Sequence, residues 1–362
     1  MPVIGISVKQ LNELLGKTLS IEVLSDTLEQ LGCDLDEVTE MTIYRCPQCG
    51  GLSDKMGQEE APKKCGTCGH ESQAPFESLG EDPVIRIDLL PARPDFFDPG
   101  GLVRAIKGYL EMETGLPSYP VAPAQVEVHV DKSVQDAESF RPFIGCAVVK
   151  IPPIDSILLR TLMKLQENLH WGIGRDRKLC SIGIYDMQTV TPPIHYKTVR
   201  PDEIQFCPLG KPGVSMTPAR ILEEHPKGMA YSHLLKPLEK YPLLVDSKGQ
   251  VLSMPPIINS DETRLKAGSS HLFIDVTGTT ESDVRKALDT LTTSIVELGG
   301  SLEGVKMVLG EKTWITPDLR PKEIQINSDD AKKWLGIDLK PRDILKYLGK
   351  MRLAATGKAP YY

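Results

Sequence analysis

Four cysteines in two pairs carry the clearest chemical signal in the chain. The pairs are Cys46-Pro-Gln-Cys49 and Cys65-Gly-Thr-Cys68, with 15 residues between them. Two C-x2-C pairs at such a spacing, each followed by glycine where the backbone turns back over the sulfurs, are typical of tetrahedral Zn²⁺ binding by four thiolates. A site closed by four sulfurs leaves no position for substrate or water. We therefore expect a structural zinc and look for the function elsewhere.

Polar residues that follow apolar strands could line a pocket. In a strand, Asp275 and Thr277 lie on the same face, and the Gly278 that follows allows a ligand to approach the backbone. The alternative interpretation is that Asp275 and Thr277 only cap the edge of a sheet and the loop after it. The stretches in which an apolar strand runs into polar side chains are 179–186, 251–260 and 272–279.

Caps and apolar periodicity predict the elements that position these residues. Ser7 caps a helix over 8–15 that stops at Gly16, and Ser20 caps a second helix that ends at Gly32. The other predicted helices are 102–112, opened by Asp98-Pro99, and 155–170, 282–298, 328–335 and 341–348. The predicted strands are 84–90, 146–151, 179–184, 241–245, 251–254 and 272–276.

Length and pattern together indicate a multidomain α+β protein, because 362 residues exceed one ordinary core. We expect a small helical N-terminal domain over 1–118, interrupted by a zinc-ribbon insertion over 45–71. A central α+β domain follows over 119–312. Residues 313–362 begin a third, helical domain and stop within it.

The composition is that of a globular protein, with 40% hydrophobic and 25% charged residues. No apolar run is long enough to span a bilayer and no signal peptide is visible, so a cytoplasmic location without membrane attachment is expected. A net charge of −7 argues against a protein that coats nucleic acid by bulk attraction, while a local basic patch stays compatible with it. Four further cysteines lie among apolar neighbours and are interpreted as reduced core residues: Cys33, Cys146, Cys180 and Cys207.

Several runs in the second half of the chain are long and specific. They are Pro208-Leu-Gly210, Glu223-Glu-His225 to His233-Leu-Leu235, Tyr241-Pro-Leu-Leu-Val-Asp-Ser247, Leu252-Ser-Met-Pro-Pro-Ile-Ile-Asn-Ser260 and Phe273-Ile-Asp-Val-Thr-Gly278. In kind and in order they resemble the β subunit of phenylalanyl-tRNA synthetase of the archaeal and eukaryotic type. The resemblance extends over nearly the whole chain and covers the N-terminal part of that subunit.

The resemblance implies a function. In that family the central domain, of the B3/B4 type, hydrolyses tyrosine wrongly esterified to tRNA(Phe), and the segment from residue 313 corresponds to the start of a B5-like winged domain. Aminoacylation belongs to the α subunit, so ATP and Mg²⁺ are expected only in the full αβ heterotetramer. This fragment alone is not expected to aminoacylate. Editing is needed because a hydrophobic pocket rejects an added hydroxyl poorly, whereas a second pocket that bonds the hydroxyl can select it.

The resemblance also implies site residues. The family's editing residues match Leu244, Ser253, Asp275 and Thr277, with Asn259 in the same run. Leu244 and Asn259 are expected to bind substrate. Asp275 is expected to orient water or the substrate's ammonium group, with Ser253 and Thr277 as hydrogen-bond donors near the phenol or the carbonyl.

Charged and potentially nucleophilic groups also occur near these runs. The basic run Arg175, Arg177 and Lys178 suits tRNA phosphates, although such a run is often only a solvated surface. We expect no covalent nucleophile, because His225 and His233 are predicted on a surface helix and no Ser-His-Asp or Cys-His arrangement is visible.

Two departures from the family pattern leave an alternative open. The zinc ribbon is absent from the usual archaeal pattern, and Ala92 stands before Arg93 where the family commonly has Asn. The alternative function is a non-catalytic, zinc-stapled module that binds tRNA or a synthetase. Retention of Ser253, Asp275 and Thr277 favours the enzyme.

Overall fold

The computed structural model describes residues 3–88, 90–135, 140–357 and 361. In these ranges no helix combines the length and apolar character needed to cross a bilayer. The N-terminal unit is an antiparallel sheet of four strands in the order β1-β4-β2-β3, packed against three helices. Its elements are β1 (Val3–Ser7), α1 (Val8–Leu15), α2 (Ile21–Gln30), β2 (Asp34–Arg45), β3 (Leu52–Met56), β4 (Glu77–Asp88) and α3 (Pro99–Tyr109).

The predicted caps of this unit are confirmed. The Ser7 side chain accepts the backbone N–H of Gln10, Gly16 ends α1 in the left-handed region, and Ser20 caps α2. Asp98 caps α3, which ends at Tyr109 and not at the predicted residue 112. The predicted end of the strand at 84–90 includes residue 89, which lies outside the described residues.

The prediction of a small helical N-terminal domain needs correction, because β1, β2, β3 and β4 form a four-stranded sheet in it. Of these strands, sequence predicted only 84–90, which lies at the end of β4. The strand signal of β2 is weak in sequence because its first half is mostly exposed and charged. β2 also continues into β3, so the first cysteine pair begins at a turn of this sheet and not in a detached excursion.

The central unit is built on a second sheet in the order β11-β10-β9-β8-β5-β13-β6-β12-β7, with β14 paired to β13. Among the strand pairs of the described residues, only β5–β8 and β5–β13 are parallel. Its strands are β5 (Val121–Val130), β6 (Phe143–Lys150), β7 (Cys180–Asp186), β8 (Ile194–Val199), β9 (Tyr241–Val245), β10 (Val251–Met254), β11 (Ile258–Asn259), β12 (His271–Gly278), β13 (Ser301–Leu309) and β14 (Lys312–Thr316). Its helices are α4 (Ser156–Trp171), α5 (Pro218–Glu224), α6 (Pro226–Tyr231) and α7 (Glu281–Glu297). The predicted boundary at residue 312 would cut the β13–β14 hairpin.

The curl of this sheet creates the site. α4 and α7 pack on one face, where Leu165 and Leu291 are fully buried. On the other face the strands from both ends of the sheet meet, and Tyr185 of β7 forms an isolated bridge with Arg264 beyond β11. A second core fills the inside of the curl and includes Leu252 of β10. Residues on β10 and β12, which five strands separate in the sheet order, therefore come into contact.

Two helices follow the central unit: α8 (Ser328–Leu335) and α9 (Pro341–Lys350). α8 lies where it was predicted, and α9 extends two residues beyond its predicted end. α8 buries no residue and α9 buries only Ile344 among the described residues, whereas Trp334 is 83% exposed. Of the residues predicted in this segment, 358–360 and 362 lie outside the described ones.

Candidate functional site

Strand register brings the candidate residues onto one face. β12 lies between β6 and β7, with Asp275 opposite Gly183 and Thr277 opposite Ser181. Because side chains alternate along a strand and opposite residues share a face, Ser181, Gly183 and Tyr185 stand beside Asp275 and Thr277. Asp275 is thus in the middle of a central strand. The alternative that it only caps a sheet edge is wrong.

Tyr185 links two of the predicted site residues. Its hydroxyl lies 2.5 Å from Oδ1 of Asp275 and 2.7 Å from Oγ of Ser253, and all three side chains are buried. A phenol has one proton to donate, so the bond to the ionised carboxylate leaves the Tyr185 oxygen to accept from Ser253. Sequence reasoning missed Tyr185, although it follows Ser181 and Gly183 at the period of two that marks one face of a strand.

Gly183 makes the space for this contact. A Cβ added there would overlap Oη of Tyr185 and Oδ1 of Asp275. The ring of Tyr185 packs on Phe273, with centroids 5.9 Å apart, and its hydroxyl extends over the glycine. A glycine opposite the carboxylate therefore permits the hydrogen bond between the two side chains.

Burial shifts the pKa of the Asp275 carboxyl group. It raises the pKa of Asp275 to about 7, against the lowering effects of the Tyr185 hydrogen bond and of the Arg141 charge. Burial and the neighbouring Asp275 raise the pKa of Tyr185 well above its usual value, so the phenol keeps its proton. A carboxyl group with a pKa near 7 can take up and release a proton at neutral pH.

Arg141 bonds the backbone on which part of this site is built. It is fully buried, and burial lowers its pKa to about 10. Its guanidinium donates to the backbone oxygens of Thr277 and Arg177. This cation therefore joins the end of β12 to the turn that holds Arg177.

The carboxyl group of Asp275 lies in the wall of a cleft of about 870 Å³. This volume falls within the usual range of roughly 300–1,000 Å³ for small-molecule sites. Three of the five predicted editing residues line the cleft, namely Ser253, Asn259 and Asp275. Leu244 lies outside the lining, fully buried opposite Ser253 in the β9–β10 pair. Thr277 also lies behind the wall, 3.2 Å from the Oγ of the lining residue Ser181.

Positive charge dominates the cleft, although the whole chain carries −7. Its lining contains seven basic and three acidic side chains. Asp54 pairs with Arg160 and Lys164, and Glu167 pairs with Arg177 and Lys227. The basic residues of the lining are Arg45, Arg160, Lys164, Arg177, Lys227, Arg264 and Lys266, and the acidic ones are Asp54, Glu167 and Asp275.

The structure separates the members of the predicted basic run. Arg175 and Lys178 are exposed and outside the cleft lining, whereas Arg177 is buried. Arg175, Asp176 and Arg177 all have positive φ, and this turn directs Arg177 inward onto Glu167, at 2.8 Å. Arg177 also donates to the backbone oxygens of Pro256 and Ile257 just after β10. The three residues therefore do not form one exposed basic run, because Arg177 is buried and paired with Glu167. Contact of Arg175 and Lys178 with tRNA phosphates stays a prediction.

Most of the nearby histidines and cysteines are buried. His170 lies in the cleft wall, where burial and Arg177 lower its pKa to about 4, and its Nε2 accepts the N–H of Ile182. His225 is fully buried as the cap of α6, so its predicted surface position is wrong, whereas His233 is exposed. Among the other cysteines, Cys207 is only partly buried, contrary to expectation, and Cys33, Cys146 and Cys180 are buried.

The four predicted metal ligands come together. The sulfur atoms of Cys46, Cys49, Cys65 and Cys68 all lie within 4.8 Å of one another, with Cys46–Cys68 at 3.9 Å and Cys49–Cys65 at 3.7 Å. A tetrahedron with arms of about 2.3 Å has edges of about 3.8 Å, so the arrangement fits a four-thiolate metal site. Backbone N–H groups of Gly51 and Thr67 point at the sulfurs of Cys49 and Cys65. The cluster is compatible with a structural metal.

Comparisons with known proteins agree with this architecture. A family model described as the Phe-tRNA synthetase beta subunit B1 domain matches residues 1–112. The chain is 41% identical over 280 residues to the phenylalanine–tRNA ligase beta subunit of Methanothrix thermoacetophila, covering 76% of this chain and 51% of that protein. It is 42% identical over 278 residues to the same subunit of Methanosarcina acetivorans, covering 76% and 50%. The chain thus spans about half the length of these curated relatives.

A solved structure extends the match over nearly the whole chain. The crystal structure of an N-terminal fragment of the phenylalanyl-tRNA synthetase β subunit from Pyrococcus horikoshii superposes with a TM-score of 0.83 at 33% identity. The match covers 99% of this chain and 92% of that fragment. The chain therefore belongs to the family of phenylalanyl-tRNA synthetase β subunits and corresponds to their N-terminal part.

Proposed function

We propose that the cleft hydrolyses the ester of tyrosine wrongly attached to tRNA(Phe). In this proposal the chain is the editing part of a phenylalanine–tRNA ligase β subunit that acts in the cytoplasm. Its partners are tRNA(Phe) and an α subunit, which carries out ATP- and Mg²⁺-dependent aminoacylation in the αβ heterotetramer. Family membership and the positive cleft in an acidic chain support these partners.

One observation supports hydrolysis above all. Asp275 is a carboxylate buried in the wall of the cleft, with a pKa of about 7 and a hydrogen bond from Tyr185. A buried carboxyl group contributes little to packing, and its desolvation costs free energy. Carboxyl groups with raised pKa values in clefts are therefore typical of functional sites. The placement of Asp275 thus favours the enzyme over the non-catalytic binding module.

The proposed reaction needs one water molecule. Its oxygen attacks the ester carbonyl carbon while its proton passes to Asp275. Because Tyr185 occupies Oδ1, Oδ2 would receive that proton. The bond from the carbonyl carbon to the terminal ribose oxygen then breaks, and the proton goes to that oxygen. Free tyrosine and intact tRNA result, and no covalent enzyme intermediate forms.

Selectivity for tyrosine follows from polar groups in the cleft. Asn259 and Ser181 line it and can bond the phenol hydroxyl, which phenylalanine lacks. Leu244 would support this pocket from behind through Ser253, and Thr277 would do so through Ser181. Both residues thus become proposed positioning residues.

The four-cysteine cluster is proposed to hold structural Zn²⁺. Its sulfurs would be the ligands, and the metal would fix the loops that carry the two cysteine pairs.

A deacylation assay with the whole chain tests the proposal. Tyr-tRNA(Phe) should be hydrolysed much faster than Phe-tRNA(Phe), and Asp275→Ala should lose on the order of 2–4 kcal/mol of transition-state stabilisation, the range for one preorganised polar group. The melting temperature of the same variant separates a folding defect from a catalytic one. A folded, fully active Asp275→Ala would refute the assignment, and wild-type protein that binds tRNA without hydrolysis would support the binding module.

A further inference from the structure

The ribbon, residues 45–71, forms part of the cleft wall, a position that the proposed hydrolysis does not use. Residues of both cysteine loops line the cleft, among them Gly50, Gly51 and Thr67. The opposite wall contains Asn259 and Asp275 of the central unit. A metal that fixes the two cysteine loops would therefore also fix the width of the cleft.

An ion pair of the central unit contacts the first cysteine pair directly and the second through Gly210. Arg264 donates to the backbone oxygen of Cys49 at 3.0 Å and pairs with Oδ1 of Asp261 at 3.3 Å. The same carboxylate oxygen accepts the N–H of Gly210 at 3.0 Å. Gly210, at φ +86°, packs so closely on Cys68 that an added Cβ would come within 2.9 Å of the Cys68 Cβ. The ribbon is thus docked at the edge of the cleft by specific contacts.

The ribbon brings an unneutralised cation to this edge. Arg45, the residue before the first metal ligand, is exposed and lies 3.5 Å from Ser156 Oγ. Within the described ranges it has no acidic partner at ion-pair distance, and the same holds for Lys266 in the cleft lining. Arginine and lysine free of carboxylates are the usual ligands of nucleic-acid phosphates.

We propose that the metal-loaded ribbon binds the single-stranded 3′ end of the aminoacylated RNA, with Arg45 contacting a phosphate near the ester that is hydrolysed beside Asp275. This inference rests on the proposed function and specifies how the RNA part of the substrate is held. The size of the cleft supports it, because the cleft can hold a terminal nucleoside together with its aminoacyl group.

The first test compares two neutralised cations of the same ribbon. Arg45→Gln removes the ribbon's own cation from the cleft lining, and Lys63→Gln removes an exposed ribbon cation outside the lining. Arg45→Gln should raise KM for Tyr-tRNA(Phe) about fivefold with kcat unchanged. It should also reduce the log–log salt slope of binding to a single-stranded RNA oligonucleotide by about one, as expected for one lost phosphate contact. Lys63→Gln should change neither quantity. Equal behaviour of the two variants would overturn the proposal.

The second test removes the metal. Chelation should weaken oligonucleotide binding and increase amide exchange in the ribbon and around Gly210 and Arg264, while β6, β7 and β12 stay protected. Unchanged oligonucleotide affinity after complete metal loss would contradict the inference.

A phosphate-free substrate separates the two proposals. The wild-type chain should hydrolyse tyrosine esterified to adenosine, and Arg45→Gln should do so at the same rate, because that substrate carries no phosphate. Wild-type protein inactive on both substrates would refute the deacylase itself. Wild-type protein active on both, with Arg45→Gln unimpaired on tRNA, would refute only the role of the ribbon.

Discussion

The hydroxyl of Tyr185 lies 2.5 Å from Oδ1 of Asp275, directly over the backbone of Gly183. The phenol stabilises the ionised carboxylate, whereas burial favours the protonated form. The two effects together leave the pKa of Asp275 at about 7. This balance makes the proposed activity sensitive to changes that leave Asp275 itself untouched.

Replacing Tyr185 by Phe should shift the pH dependence of hydrolysis. Loss of the hydrogen bond removes an effect that lowers the pKa of Asp275, so the carboxylate should need a higher pH to ionise. We expect the acid limb of kcat/KM to move to higher pH and the rate at pH 7 to fall about tenfold, equivalent to about 1.4 kcal/mol. A pH–rate profile of both proteins measures this, and identical acid limbs would contradict the role of Tyr185.

Asp275 should also make stability depend on pH. Its folded pKa of about 7 lies above its ordinary value of 3.8, so the folded state binds a proton that the unfolded state releases. The contribution of this group to stability is therefore full below about pH 4 and is lost as the pH rises to about 7. The Asp275→Asn variant has no titrating group at this position, so it should not lose this contribution to stability as the pH rises.

Thermal unfolding at pH 5 and pH 8 measures this effect. The difference in melting temperature between Asp275→Asn and wild type should be more positive at pH 8 than at pH 5. A difference that stays constant with pH would mean that the carboxyl group has an ordinary pKa.

Gly183→Ala should disrupt the site locally. The new Cβ would push Tyr185 away from Asp275, so hydrolysis should fall at least about tenfold, with a loss of stability of roughly 1–3 kcal/mol from overpacking. Gly349→Ala is the matched control. The nearest atoms to its new Cβ lie at 3.8 Å and it is in helix α9, so activity should be unchanged. If Gly183→Ala were as active as wild type, the hydrogen-bonded pair would not be needed.

The cysteine cluster should bind one Zn²⁺ per chain, with Zn–S distances of about 2.3 Å. Metal analysis of reduced protein gives the stoichiometry, and X-ray absorption gives the distances. Because the four sulfurs lie in loops outside the central sheet, chelation should unfold the ribbon and leave that sheet folded. Purified, reduced protein without zinc would refute the first expectation, and amide exchange that rises throughout the chain would refute the second.

The sequence by itself determined the features that depend on near neighbours. The C-x2-C spacing predicted four ligands that the fold brings together, and the Ser7 and Ser20 caps predicted two helix starts. These signals are local because a knuckle or a cap is formed within a few residues. The family was also visible in sequence, because the runs around Ser253 and Asp275 are contiguous.

Only the tertiary structure decided which side chains meet. Tyr185 and Ser253 lie 68 residues apart and touch because the sheet curls until its end strands meet. The position of Arg177 was likewise decided by the tertiary structure. Its charge suggests an exposed side chain, but a turn of three residues with positive φ directs it inward onto Glu167. Likewise, the spacing of Cys46 to Cys68 predicts a ribbon but cannot place it at the cleft. Its position depends on Arg264 and Gly210, whose contacts with the ribbon form only when distant strands pack together.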